Sequence, residues 1–244
     1  MKNVKTIFKR EMAGYFATPL AYVFIVIFLM LMGVFTFYPG HFFARGQDDL
    51  QPFFVWHPWL YLFLVPALGM RLWAEERKSG TVELLLTLPV SMSEAVIGKF
   101  LAAWCMVAIA LGLTFPIWIT ANILGRPDNG VIFAGYLGSL LMAGGYLAVS
   151  ACISALTRNQ VIAFVLSVAV CFLFLFSGFP MVLDFFRSWL PAPLLSGIAS
   201  LSFLNHFNAI VRGVVDLRDL IFFLSFIALW LYAGAWTVER RKAE

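Results

Sequence analysis

The chain has 244 residues, of which 62% are hydrophobic and only 12% charged, and its mean hydropathy is +0.90. That balance excludes a soluble domain and identifies a polytopic membrane protein. The net charge of +4 would suggest nucleic acid, but the cations cluster at the borders of apolar runs, where basic residues set membrane topology.

At the N-terminus, Val4, Ile7, Phe8, Met12, Tyr15 and Phe16 recur at helical spacing, while Lys2, Lys5 and Lys9 share another face. This predicts an amphipathic helix over residues 1–17, lying on the cytoplasmic surface. Glu11 and the lack of a small-residue cleavage site argue against a signal peptide. Six spans follow, over residues 19–38, 53–74, 96–124, 131–156, 159–183 and 219–238. Each meets the roughly 20 residues that a helix needs to cross a bilayer, and their apolar stretches carry no Asp, Glu, Lys or Arg. An even count puts both termini on one side. Placing that side in the cytoplasm leaves only Arg45, Arg126, Arg187, Arg212 and Arg218 outside, so twelve of the 17 basic residues lie inside.

Between the second and third spans, Glu75 to Lys99 holds a compact apolar block, Val82 to Leu88, too short to cross a membrane. Val82, Leu85 and Leu86 fall on one helical face and Leu84 and Leu88 on another, so the block is apolar all round. Glu75, Glu76, Arg77 and Lys78 hold it outside the bilayer, where it needs a groove on a partner. Gly80 with Glu83 three residues on suits a helix start and Pro89 a stop, which predicts a short docking helix over residues 79–90.

On the outer side, residues 39–52 read as a loop. In the outer segment 184–218, Leu204, Phe207, Val211 and Val214 repeat at three and four, predicting a helix that dips into the outer leaflet. Arg212 lies among Asp216, Arg218 and Asp219, which predicts a partly desolvated ion pair there. Gly135, Gly138, Gly144 and Gly145 along the fourth span permit close helix approach, either between subunits or within one.

Two stretches carry a family resemblance. The run E-E-R-K-S-G-T-V-E-L-L-L-T-L-P-V-S, with Gly98-Lys99-Phe100 after it, resembles the cytoplasmic coupling region of ABC-2 type transporter permeases, above all the gliding-motility type. Ser202, His206, Phe207, Arg212, Gly213, Asp216, Arg218 and Asp219 match the motif before the last span of the same permeases. The resemblance implies an all-α membrane fold of the type V exporter kind, with six transmembrane helices, an interfacial N-terminal helix and a coupling helix. It implies that Thr81 to Pro89 docks on a separate ATPase subunit, present in two copies, with Glu75, Glu76, Arg77, Gly80, Thr81, Glu83, Leu84, Leu85, Leu86, Pro89 and Lys99 forming the coupling region. A second permease copy, or a related permease with a large external domain, would complete the assembly in a bacterial inner membrane. ATP and Mg would be used by the partner, and no cofactor by this chain.

Rival readings are weaker. No G-x-x-x-x-G-K-[ST] loop is present, so the chain is not itself the ATPase. An intramembrane protease of the EE-x-x-x-R kind would need Arg where Gly80 stands. A role in copper-enzyme assembly has only His41, His57 and His206, which lack ligand spacing. Cys105, Cys152 and Cys171 sit in apolar runs as small core residues.

The charge bias yields a topological prediction. In a chain whose native cysteines are replaced, a membrane-impermeant thiol reagent added outside modifies Gln47→Cys and spares Ser79→Cys. External labelling at position 79 overturns the orientation.

Overall fold

In a computed structural model the described residues are 2–43, 49–80, 91–187 and 190–240, and every regular element among them is a helix. The docking residues Thr81, Glu83, Leu84, Leu85, Leu86 and Pro89, together with Arg45, Gln47, Arg241 and Lys242, lie outside the described residues.

Helix α1 (Lys2–Ala17) buries Ile7, half-buries Val4, Phe8, Met12 and Tyr15, and exposes Lys5 and Lys9. The expected amphipathic helix is therefore present, and its apolar stripe packs on the start of α6 (Met92–Gly112). Gly98 makes that approach possible, since a Cβ there would lie 2.9 Å from the Ile7 side chain. Helix α2 (Pro19–Phe37) begins with proline at its first position, where the missing N–H costs no hydrogen bond.

The second pass is broken into α3 (Gln51–Phe54), α4 (His57–Gly69) and α5 (Arg71–Ser79), and the third into α6 and α7 (Phe115–Leu124). Ser91 and Glu94 form a reciprocal capping box that starts α6. Helix α8 (Asn129–Leu156), 28 residues long and capped by the Asp128 carboxylate, is buried along most of its length. Its glycines settle the question left by the sequence. Gly135 admits Phe54, Gly138 admits Ile210, Gly144 admits Ile227 and Trp104, and Gly145 admits Phe203. These are contacts within one chain.

Helix α9 (Gln160–Phe176) stops at Phe176, short of the expected residue 183, because the chain bends by 79° into α10 (Pro180–Arg187). Then come α11 (Ala192–Ala199), α12 (Phe203–Val211), bent by 61° from α11, and α13 (Leu217–Arg240). Phe203, at the tip of α12, meets Gly145. Gly145 lies about 24 Å along α8 from its start, so the α11–α12 turn enters the bundle to middle depth.

Helix α13 runs beside α8 in the same direction, with Ile227 against Gly144 and Gly234 against Cys152. The start of α1 and the end of α13 consequently lie at one end of the bundle, here called the base. The chain runs back and forth along the bundle in α2, α3–α5, α6–α7, α8, α9 and α13. Five helical runs are long and apolar enough to cross a membrane, up to seven if each bent pair is counted, so this is an all-α multi-pass membrane protein. Outward side chains such as Val26, Leu173 and Leu229, each more than 60% exposed, form its lipid-facing surface.

Two glycines test this packing in opposite directions. A Cβ at Gly69 would come within 2.3 Å of Ser150 Cβ, whereas one at Gly14 in α1 meets nothing within 4 Å. Gly69→Ala is expected to destabilise the detergent-solubilised protein by about 1–3 kcal/mol. Gly14→Ala is expected to stabilise it by up to about 1 kcal/mol. A thermal midpoint unchanged or raised in Gly69→Ala would contradict the α4–α8 contact.

Candidate functional site

The residues bordering positions 81–90 are positioned by a break in the second pass. Where α4 gives way to α5, backbone groups lose their helical partners, and Ser154 on α8 replaces them. Its hydroxyl donates to the Met70 carbonyl at 2.8 Å and accepts from the Trp73 and Ala74 N–H groups at 3.1 and 3.0 Å. Helix α5 then buries Leu72, Trp73 and Ala74 and leaves Glu75 exposed, paired with Arg71 at 2.8 Å. Arg77 donates to the Ala155 carbonyl in the last turn of α8, satisfying one of the carbonyls a helix end leaves over.

Gly80 ends α5, with φ 73° and its N–H on the Glu76 carbonyl, a left-handed cap that glycine adopts without strain, and the helix expected to start from it falls on residues outside the described ones. Ser79, expected in the docking helix, is the last residue of α5, its hydroxyl donating to the Glu75 carbonyl at 3.0 Å.

Lys99 is the centre of the base. Only 2% exposed, its Nζ lies 2.8 Å from Glu76 Oε1 and 3.1 Å from Glu11 Oε1, and 5.4 Å from the centroid of the Trp73 ring. Arg10 approaches the same carboxylates, at 2.7 Å from Glu11 and 3.6 Å from Glu76. Two cations and two carboxylates thus join α1, α5 and α6. Burial raises the Glu11 carboxyl, but Lys99 and Arg10 outweigh it and hold it below its ordinary value near 4.5. A second tie runs from Asn3 Nδ2 to Glu94 Oε2 at 3.0 Å. The helices on either side of 81–90 are therefore both held by α1.

Sequence reasoning singled out Glu75, Glu76, Arg77, Gly80 and Lys99 but missed Asn3, Arg10, Glu11, Trp73 and Ser154. Glu11 did carry a signal, since it interrupts the apolar stripe of α1 between Ile7 and Tyr15. Lys99 and Asp219, each one residue before an apolar stretch, are buried as well.

At the far end, Ser202 caps α12, accepting from Asn205 N at 3.4 Å, and Phe207 packs under Gly138. His206 Nδ1 lies 2.5 Å from Asp219 Oδ1 and its Nε2 2.8 Å from the Ser200 carbonyl, with the ring stacked on Phe222 at 3.9 Å. Both ring nitrogens thus face oxygen atoms. Asp219 is buried at the start of α13, so the pair fastens α12 to α13.

The expected Arg212 ion pair is not formed. Arg212 is the exposed C-cap of α12, and among the described residues it reaches no carboxylate. Gly213 turns the chain away at φ 85°, and Asp216 spends its carboxylate on the Arg218 N–H at 3.3 Å. Arg218 is exposed. Among the described residues no three His, Cys, Asp or Glu side chains come together. His57 is enclosed by Phe28, Phe53, Phe54 and Tyr61, apart from His206.

Residues 60–238 match a family model described as ABC-2 family transporter protein. The match takes in the coupling stretch and the outer motif but not α1 or α2. No curated protein sequence matches the chain.

The base network generates a prediction about α1. Lys99→Met takes from Glu76 its 2.8 Å partner and from Glu11 one of its two cations, and amide exchange in residues 2–17 is expected to accelerate by about tenfold or more. Because the folded Glu11 carboxyl is depressed, its contribution is full above pH 4.5 and is lost as pH falls below that value. Glu11→Gln should remove this acid sensitivity of α1 exchange. An unchanged acid profile in that variant would show that Glu11 is not the titrating group.

Proposed function

The chain belongs to the ABC-2 family of transporter proteins as a membrane permease component, and from this premise we propose that residues 81–89 are the contact through which a separate ATPase subunit moves the bundle. The observation that carries this reading is the anchoring of its borders. Helix α5 enters the stretch held by Glu76 on Lys99, and α6 leaves it held by Glu94 on Asn3. A load applied between them is passed to three helices at once. The all-round apolar sequence of the stretch, with no core of its own, supplies the affinity for a groove.

Two ATPase subunits and two permeases, either two copies of this chain or one copy with a related permease bearing a large external domain, complete the proposed assembly. Phosphoryl chemistry, with its ATP and Mg, belongs to the ATPase. The break at Met70 offers the hinge, because the Met70 carbonyl and the Trp73 and Ala74 N–H groups are bonded to a side chain of α8. The base faces the cytoplasm of a bacterial inner membrane in this reading, supported by the positive-inside bias and by the shared end of both termini. The apolar passes favour export of an apolar or amphiphilic cargo, or movement handed to an outer-side partner of the kind used in gliding motility. No observation favours copper-enzyme assembly or proteolysis.

Leu85→Asp tests the contact. A buried leucine contributes roughly 1.5–3 kcal/mol, and an unpaired desolvated carboxylate adds a cost of several more. Membrane insertion and the thermal midpoint should stay near wild type, while co-purification of the ATPase and its stimulated turnover are lost. Wild-type ATPase capture by Leu85→Asp membranes would sink the proposal.

A further inference from the structure

At the end opposite the termini, three connections meet: the chain before α3, the α7–α8 turn and the end of α12. They enclose a cleft of about 300 Å³. We infer that this cleft binds the headgroup of a phospholipid carrying both a phosphate and a primary ammonium. The inference stands apart from the proposed ATPase contact.

Among the described residues the rim holds one cation and two carboxylates, Arg212, Asp49 and Asp128, above a floor that includes Phe54, Ile132 and Val211. Opposite charges on one small cleft would ordinarily close on each other. Here they do not: among the described residues Arg212 forms no ion pair, and Asp128 turns one carboxylate oxygen to the Gly130 N–H at 2.8 Å as the cap of α8. A ligand complementary to this rim presents an anion to Arg212 and hydrogen-bonding positive charge to the carboxylates. Arginine's planar fork suits phosphate oxygens, and a primary ammonium brings three donors.

A purely anionic headgroup would bring its charge against Asp49 and Asp128. A choline headgroup has no N–H for them. The lipid origin follows from what borders the cleft. Ile123 and Leu124 precede the α7–α8 turn and Val214 follows Arg212, at 79%, 54% and 62% exposure, so acyl chains beside the headgroup would cover apolar surface the chain leaves open.

The test is native mass spectrometry of the purified full chain in detergent, offered phosphatidylethanolamine, phosphatidylglycerol and phosphatidylcholine in equal amounts. Phosphatidylethanolamine should be retained in preference to the other two. Arg212→Gln should lower its retention by about tenfold, as should the pair Asp49→Asn with Asp128→Asn. Asparagine preserves the α8 cap, so the paired change removes charge without removing the helix start. Arg212→Lys, which keeps the charge but loses the fork, should fall between wild type and Arg212→Gln. Excess glycerophosphoethanolamine should not displace the lipid; displacement would assign the cleft to a soluble zwitterion and overturn the lipid reading. Equal retention of the three lipids, or full retention by Arg212→Gln at an unchanged thermal midpoint, would overturn the site itself.

Discussion

Lys99 is a cation almost without solvent, at the start of a helix that then runs through an apolar bundle. An ammonium in that position is tolerated only with compensating charge and hydrogen bonds. Glu76 and Glu11 supply both, and each comes from a different helix. The requirement therefore dictates architecture: α5 must be continuous as far as Glu76, and α1 must lie against α6 with Glu11 turned inward. Gly98, one residue before the lysine, provides the room that lets Ile7 approach. Arg10 balances the second carboxylate, so among the described residues the cluster holds two charges of each sign.

The far end solves a similar problem with different residues. Asp219 is buried at the start of α13 and His206 meets it from α12, with the Ser200 carbonyl taking the other ring nitrogen. The tip of α12 carries Phe203 to Gly145, deep in the bundle, where a larger residue on α8 would exclude it. Glycines on α8 thus decide how far the α11–α12 hairpin enters, and the histidine pair decides how firmly it is joined to α13. Packing and charge do separate work on one element.

Much of this was legible in the sequence, because apolar length is the strongest signal a membrane chain carries. The all-helical class, the multi-pass character, the amphipathic α1 and the entry of α12 all follow from periodicity and composition. What was illegible is instructive. The fifth pass stops at Phe176 because Gly178 and Pro180 bracket a sharp bend, although hydropathy alone continues to residue 183. Arg212 looked paired because aspartates lie near it in sequence, yet Gly213 turns the chain and the buried partner of Asp219 proves to be a histidine thirteen positions earlier. Glu11 and Ser154 act across 88 and more than 80 positions, and no local pattern announces such partners. Within the coupling region, Glu76, Arg77 and Lys99 are drawn together at the base, while Glu75 turns to solvent with Arg71.

The arrangement also bears on how force could travel. Helix α8 touches the break in the second pass through Ser154 and the end of α5 through the Ala155 carbonyl. It touches α12 through Gly138 and Gly145, and α13 through Gly144 and Cys152. A displacement of α5 cannot be absorbed by soft side chains at these points. The contacts are backbone hydrogen bonds at one end and glycine-sized gaps at the other, and close-packed interiors resist continuous deformation. Movement at the base must then either break the Ser154 bonds, leaving three backbone groups unpaired in an apolar setting, or carry α8 with it. The second alternative costs less. On this argument α8 moves as a rod, and the hairpin seated in its glycines moves with it.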